Sequence, residues 1–194
     1  MKSALKVIYS PARIRAQVTR MGREISRTYG GRTLDLVILL QNAFVFAADL
    51  VRQISMPVAW HFVRADMHDF EQAGHWQREI FFSERPDLKG RDVLVVDAVL
   101  QSGVTQEFLV RRLAESEPRS LRLAVLLDKP QERKVGLQAD YFGFCAASNH
   151  VVGYGLPGDA GAQRNLPYIA GAGQASHKTR TAERPAVRGQ RRKR

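Results

Sequence analysis

The stretch of residues 93–105 constrains the fold of this chain more than any other. An unbroken apolar run reaches an acid, Asp97, and is followed by a loop that contains Ser102, Gly103 and Thr105. The run is typical of a buried strand, and the residues after the loop have the pattern of a helix. Because hydroxyls and N–H groups at such a junction converge on anions, the segment predicts a phosphate site. An ordinary strand-to-helix turn is the alternative interpretation.

Strand and helix patterns alternate along most of the chain. Helices are predicted from Ser10-Pro11 to Gly30-Gly31 and at residues 44–54 and 105–116. Apolar runs predict strands at residues 34–40, 58–65, 79–84, 93–99, 121–127, 141–146 and 151–156. A polar stretch at 66–78, with Gly74 inside it, is interpreted as a mobile excursion. The alternation predicts an α/β fold with a mainly parallel twisted sheet flanked by helices.

The positive charge is concentrated at the C-terminal end. The chain has 194 residues and a net charge of +11, of which residues 175–194 carry +7. From residue 171 onward large apolar side chains are almost missing, and such a composition cannot bury a core. We therefore expect one globular domain at residues 1–170 and a disordered basic tail at 171–194. Any contact with nucleic acid is expected through that tail only.

Composition excludes several other classes of protein. A single cysteine, Cys145, cannot form an internal disulfide and favours a cytoplasmic setting. No apolar run approaches the ~18 residues that a membrane span needs, so no membrane partner is expected. The spacing of His61, His68, His75 and His150 does not match a zinc site.

Residues 93–105 resemble the signature of type I phosphoribosyltransferases that binds 5-phosphoribosyl 1-pyrophosphate (PRPP). Later motifs follow in the order and spacing of the hypoxanthine (hypoxanthine-guanine) phosphoribosyltransferases, over residues 7–169: Leu127-Asp128-Lys129-Pro130, Asp140-Tyr141-Phe142-Gly143-Phe144, Val151-Val152-Gly153-Tyr154-Gly155-Leu156 and Arg164-Asn165-Leu166-Pro167-Tyr168-Ile169. The resemblance implies the fold of that family, with a small hood and a mobile loop. It also implies purine salvage, in which a 6-oxopurine displaces pyrophosphate from PRPP with the help of Mg²⁺, and a homodimer or homotetramer.

The resemblance assigns roles to individual residues. It implies that Lys129 reads the 6-oxo group, that the backbone of Val151 meets the base, and that His150 replaces a stacking aromatic residue. It also implies PRPP and phosphate binding by six residues: Asp97, Ser102, Gly103, Val104, Thr105 and Arg64.

Several polar positions depart from the family pattern. Ala98 stands where the family has the second acid of a pair, and Gln101 replaces the acid that is implicated in proton transfer. Gln41 and Asn42 replace a lysine and a glycine of the pyrophosphate loop, and Met67-His68 replace the Ser-Tyr of the mobile loop. With Asp97, Asp159 is a candidate Mg²⁺ ligand in place of the acid missing at Pro157.

These departures leave two functional hypotheses open. The first is an enzyme of the hypoxanthine type, weakened or altered in substrate, in which Gln101, His68 or a water serves N7 of the purine. The second is an inactive regulator or partner subunit that binds a purine nucleotide or PRPP, with a tail suited to RNA. A restored acid at Ala98 or Gln101 would rescue a dormant enzyme.

Overall fold

A computed structural model of the chain describes residues 5–69, 76–82, 86–146 and 150–171. The predicted basic tail therefore lies outside the described residues except for Gly171, as does His75. No helix in the described part of the chain is both long enough and apolar enough to cross a lipid bilayer.

The core of the molecule is a six-stranded sheet. In chain order its strands are β2 (Leu34–Leu40), β3 (Val58–Asp69), β4 (Trp76–Phe82), β5 (Asp92–Leu100), β6 (Ser120–Asp128) and β7 (Tyr141–Cys145). They lie side by side in the order β4-β3-β2-β5-β6-β7. All neighbouring pairs are parallel except β3 and β4, which are antiparallel. The predicted mainly parallel sheet is therefore confirmed.

Helices cover both faces of this sheet, which explains the unbroken apolar runs in its central strands. Helix α2 (Phe44–Val51) packs on one face of β2 and β5, and α1 (Pro11–Tyr29) lies on the same side against α2 and β7. Helix α3 (Val104–Ala114) packs on the other face. Alternate residues of a strand point to opposite faces, so a strand covered on both faces must be apolar throughout. Strands β2 and β5 occupy such positions.

Helix α1 follows its sequence signals closely. The hydroxyl of Ser10 caps the helix by accepting from the N–H of Arg13, and Gly30 ends it with a left-handed φ of 57°. At Gly22 a Cβ atom would lie 2.4 Å from Cβ of Gln53, so only glycine allows this close approach to the segment after α2. This contact fixes the distance between the first two helices.

A second, small sheet shares no strand with the first but packs against the same core. Strand β1 (Lys6–Tyr9) pairs antiparallel with β9 (Ile169–Gly171), which pairs antiparallel with β8 (Val151–Val152). The two ends of the described chain therefore meet in one small sheet. This arrangement fits the small hood that the family resemblance implies.

Three predicted elements differ from the structure. Helix α2 ends at Val51 rather than at residue 54, and the late strand at 151–156 shrinks to Val151–Val152 because a bridge between Gly153 and Leu156 turns the chain. Residues 66–69 and 76–78, predicted as part of a mobile excursion, instead extend the antiparallel pair of β3 and β4. Backbone pairing explains this extension, because ladder hydrogen bonds do not require apolar side chains.

Candidate active site

The carboxyl ends of the parallel strands surround a cavity of about 330 Å³. It brings together eight residues that the sequence analysis singled out, namely Asn42, Asp97, Gln101, Ser102, Thr105, Lys129, His150 and Val151. They come from four separate segments of the chain, which the fold brings together beside the carboxyl ends of the parallel strands. The cavity is therefore the candidate active site.

The loop between β5 and α3 forms one wall of this cavity. Gly103 caps helix α3 with a left-handed φ of 79°, and a Cβ at this position would lie 2.8 Å from Cγ2 of Val135. Both the left-handed φ and the lack of space for a Cβ atom require glycine here. Ser102 and Thr105 line the cavity on either side of Gly103, and Val104 is the first residue of the helix. Two hydroxyls at the N-terminus of an eleven-residue helix have the chemistry to bind an anion.

Asp97 is held in the floor of the cavity by neutral donors. Its Oδ1 accepts from the N–H of Ala98 at 2.6 Å, and its Oδ2 accepts from Nε2 of Gln106 at 2.6 Å. Burial raises the pKa of Asp97 to about 6, although both hydrogen bonds act to lower it. The charge of this carboxyl therefore changes close to neutral pH.

Gln106 is a site residue that the sequence analysis did not single out. It is buried and lines the cavity, and its Nε2 also donates to the carbonyl of Val99 at 3.2 Å. The sequence contained a signal for its burial. Gln106 precedes Leu109 and Leu113 at helical spacing, which places all three on the buried face of α3. A polar side chain on a buried face needs partners, and these partners lie in the site.

Lys129, Gln101 and Glu132 form a cluster beside the same loop, which we call the Glu132 cluster. Lys129 is only 5% exposed, and its Nζ lies 3.5 Å from Oε1 of Glu132. The amide Nε2 of Gln101 donates to Oε2 of the same carboxylate. Glu132 ends the short 3₁₀ helix Pro130–Glu132, which follows directly on Lys129.

The segment after Lys129 also supports the loop between β5 and α3, a contact that the sequence analysis missed. The N–H of Lys134 donates to the carbonyl of Ser102 at 2.9 Å. Arg133 forms an ion pair with Asp128, and its Cδ would lie 3.0 Å from a Cβ at Gly103. The sequence signal for this contact was the charged pair Glu132-Arg133, which follows Lys129-Pro130 after one intervening residue.

Other predicted residues lie at the margin of the cavity or outside it. Asn42 lines it, and its Oδ1 accepts from Arg164 at 2.7 Å, whereas Gln41 is exposed and joined to Leu40 by a cis peptide bond. Arg64 is exposed on β3 in register with Leu40. Neither Gln41 nor Arg64 is among the described residues that line the cavity.

The described residues do not fit a magnesium ion held by the protein alone. Asp97 is the one acid among the described residues that line the cavity, and both its oxygens already accept hydrogen bonds. Asp159 is exposed on the 3₁₀ helix Asp159–Gly161 and does not line the described cavity. Across the described ranges no three His, Cys, Asp or Glu side chains are grouped so that they could hold a metal. Mg²⁺ normally takes carboxylate and water ligands, and this site offers too few.

Comparison with known proteins gives a consistent result. Residues 6–158 match the family model described as the phosphoribosyl transferase domain. The chain is 34% identical over 171 residues to the hypoxanthine phosphoribosyltransferase of Salmonella typhimurium, covering 87% of this chain and 96% of that protein. It is 35% identical over 169 residues to the hypoxanthine-guanine phosphoribosyltransferase of Mycobacterium avium, covering 84% and 83%.

A solved structure is similar over the same region. The crystal structure of a hypoxanthine-guanine phosphoribosyltransferase from Bacillus anthracis superposes with a TM-score of 0.77 at 32% identity. The match covers 86% of this chain and 96% of that one. The resemblance therefore includes the sheet, the helices and the strand ends that carry the cavity.

Proposed function

The chain belongs to the hypoxanthine phosphoribosyltransferases of the phosphoribosyl transferase family, and from this premise we propose that it transfers the 5-phosphoribosyl group of PRPP to a 6-oxopurine. The products would be a purine nucleoside monophosphate and pyrophosphate. One observation carries the proposal. A single cavity is lined both by the hydroxyls of Ser102 and Thr105 at the N-terminus of α3 and by a buried cation, Lys129.

The wall formed by Ser102, Gly103 and Thr105 would hold the 5′-phosphate. Backbone N–H groups and two hydroxyls can donate to its oxygens, and the dipole of α3 adds a favourable partial charge. Asp97 lies within the same cavity and would accept from a ribose hydroxyl when it is ionised. Fixing both ends of the phosphoribosyl group holds its anomeric carbon in place, which lowers the entropic part of the barrier.

A second part of the cavity lining would bind the base. Lys129 would donate to the 6-oxo oxygen, the backbone of Val151 would meet the ring edge, and the imidazole of His150 would stack on the ring. In the transfer, a ring nitrogen forms a bond to the anomeric carbon while the bond from that carbon to pyrophosphate breaks. Pyrophosphate leaves with the electron pair. Gln101 accepts a hydrogen bond from N7–H during the transfer, and that proton is then released from N7 to water.

Mg²⁺ belongs to the proposal as a companion of the substrate. The phosphate oxygens of PRPP supply ligands that the described residues lack, and Mg²⁺ is commonly bound through substrate phosphates. We therefore propose that the ion is recruited with PRPP, and we assign it no step in the reaction.

The test is an assay of nucleotide formation from PRPP and Mg²⁺ with hypoxanthine, guanine, xanthine and adenine in turn. We expect turnover with a 6-oxopurine and none with adenine. Thr105→Ala removes one phosphate donor and should raise KM for PRPP about tenfold with a smaller change in kcat. Thr28→Ala, which removes an exposed hydroxyl of α1 that donates to Glu24, is the matched control. An unchanged KM in Thr105→Ala would contradict the phosphate assignment.

Binding without turnover is a second candidate function. It is favoured by Gln101, because an amide cannot accept a proton near neutral pH and a lost general base commonly costs ~10²–10⁴-fold in rate. This candidate predicts that inosine 5′-monophosphate or PRPP binds in calorimetry while the assay yields no product. Product formation by the native chain would eliminate it.

The remaining proposals concern assembly and the tail. We propose a domain at residues 1–170 that folds without the tail at 171–194 and assembles into a homodimer or homotetramer. Removing residues 172–194 should change Tm by less than about 2 °C, and light scattering would give the oligomeric state.

If the tail binds RNA, the same truncation should abolish binding of a single-stranded RNA at low salt.

A further inference from the structure

The Glu132 cluster joins two segments of the chain, the one that follows β5 and the one that follows β6. Gln101 follows β5 and Lys129 follows β6, and the N–H of Lys129 donates to the carbonyl of Leu100 at 3.0 Å, which holds these two strand ends together. The N–H of Glu132 donates to the carbonyl of Lys129 at 3.1 Å. The backbone therefore delivers one carboxylate to the two side chains that the proposed function assigns to the purine.

Glu132 determines which way the amide of Gln101 faces. An ionised carboxylate can only accept hydrogen bonds, so the Gln101 nitrogen must face Glu132. The amide oxygen is then turned to the other side, where it can accept but not donate. Without the carboxylate, either end of the amide could face the cavity.

Glu132 also supplies the negative charge that a buried ammonium requires. The side chain of Lys129 is 6% exposed and that of Glu132 is 23% exposed, and Nζ lies 3.5 Å from Oε1. Oε1 is itself buried, and no donor among the described residues makes a hydrogen bond with it. Ion pairs on the surface contribute little, but a pair this far removed from water fixes the position of both charges.

We propose that Glu132 is a positioning residue for base recognition, which orients the amide of Gln101 as an acceptor and holds Lys129 as a donor. The inference rests on the proposed function and extends it to specificity. A 6-oxopurine offers an acceptor to Lys129, and a 6-aminopurine offers a donor instead. Through Lys129, the arrangement therefore favours nucleotides of 6-oxopurines over those of 6-aminopurines.

A second consequence concerns the acid missing at position 101. An aspartate placed there would lie against Glu132, and two carboxylates in contact cannot both ionise without a large penalty. In the double variant Q101D/E132Q, donor and acceptor of the native hydrogen bond are exchanged and the conflict disappears. A restored acid should therefore function only when Glu132 is neutral.

The experiment measures Kd for inosine 5′-monophosphate and adenosine 5′-monophosphate by calorimetry, with kcat from the transfer assay. The proteins are the native chain, E132Q, Q101D, Q101D/E132Q and the control E115Q, which neutralises an exposed carboxylate paired with Arg112. We expect E132Q to reduce the preference for the inosine nucleotide about tenfold and E115Q to leave it unchanged. Q101D should weaken inosine nucleotide binding about tenfold, and the double variant should recover it with a higher kcat than the native chain.

The outcomes separate this inference from the function on which it rests. If the native chain prefers the inosine nucleotide but E132Q keeps the same preference, the role of Glu132 is wrong and the proposed function stands. Equal effects of Q101D in both backgrounds would likewise refute the coupling. If the native chain binds neither nucleotide and turns over no base, the proposed function fails and this inference fails with it. A thermal unfolding scan of each variant distinguishes lost binding from a lost fold.

Discussion

Two aspartates of strand β5, Asp92 and Asp97, have opposite electrostatic environments. Asp92 begins β5 and is buried at the end of the sheet away from the cavity, where it accepts from Arg32 at 2.8 Å and from Ser120 at 2.7 Å and pairs with Arg119. Asp97 lies five positions further along, beneath the candidate active site, and accepts only from amide N–H groups. Both side chains are nearly inaccessible to water.

The difference in partners moves the two pKa values in opposite directions. The hydrogen bond from Arg119 is the largest effect that holds the pKa of Asp92 well below its usual range. Burial without a cationic partner raises the pKa of Asp97 to about 6. An acid that is fixed by cations stays charged and holds the fold, whereas an acid that is fixed by amides can titrate near neutral pH. Titratable groups of the second kind are typical of functional sites.

Removing Asp92 should have the largest effect on stability. Asp92→Ala leaves Arg119, Arg32 and Ser120 without their shared acceptor. Because both arginine side chains are about half exposed, we expect a loss of about 3 kcal/mol, the upper end for hydrogen bonds to a charged group. Urea unfolding at pH 7 measures the loss. Glu24→Ala, which breaks the exposed pair with Arg20, should cost less than about 0.5 kcal/mol. If both variants lost the same amount, the distinction between the two ends of the strand would be wrong.

The pH dependence of stability should have opposite signs for the two acids. The folded pKa of Asp92 is depressed, so its contribution is present above the unfolded pKa of ~3.9 and is lost as pH falls below it. The folded pKa of Asp97 is raised, so folding favours the protonated acid and stability is lost as pH rises from about 4 to about 6.

The Asp97→Asn variant isolates the second effect. Asparagine is neutral at every pH, so the native chain should lose up to about 3 kcal/mol relative to this variant between pH 4 and pH 7, with no further change above pH 7. Urea unfolding of both proteins across this range gives the difference. A difference that stays constant with pH would mean that Asp97 has an ordinary pKa.

Much of the fold could be predicted because its signals are local. The apolar runs of β2 and β5 and the capped, periodic helix α1 carry their pattern within a few residues. The extension of β3 and β4 could not be predicted in the same way. Its polar residues 66–69 and 76–78 are held by pairing between strands, which leaves no apolar period to detect.

The same difference between local and distant signals decides which site residues could be predicted. The phosphate loop and Lys129 are recognisable from contiguous motifs, and the cavity brings them together. Glu132 and Gln106 act through partners that are distant in the sequence, so their roles appear only once β5, β6 and α3 are assembled. Arg64, Gln41 and Asp159 lie outside the described cavity lining. The roles assigned to them, and to the residues that line the cavity, stay predictions.

The smallest expected effect on stability is the difference between alanine substitutions at the two glycines that flank β5, Gly90 and Gly103. Gly90 precedes the strand with φ 65° and a Cβ there would meet nothing within 4 Å, whereas Gly103 follows it with φ 79° and a Cβ would meet Val135 at 2.8 Å. Gly90→Ala should cost about 1 kcal/mol, the conformational penalty alone. Gly103→Ala should cost about 1–2 kcal/mol more, because the side chains of Val135 and Arg133 must move.

The same pair separates stability from function. Moving the loop at Gly103 displaces Ser102 and Thr105 from the cavity wall, so Gly103→Ala should also raise KM for PRPP at least about tenfold. Gly90→Ala lies at the opposite end of β5 and should leave KM unchanged. Unfolding in urea and steady-state kinetics on both variants test this. Equal losses of PRPP affinity would show that the loop after β5 has no special role in binding, and would remove the contrast between the two ends of the strand.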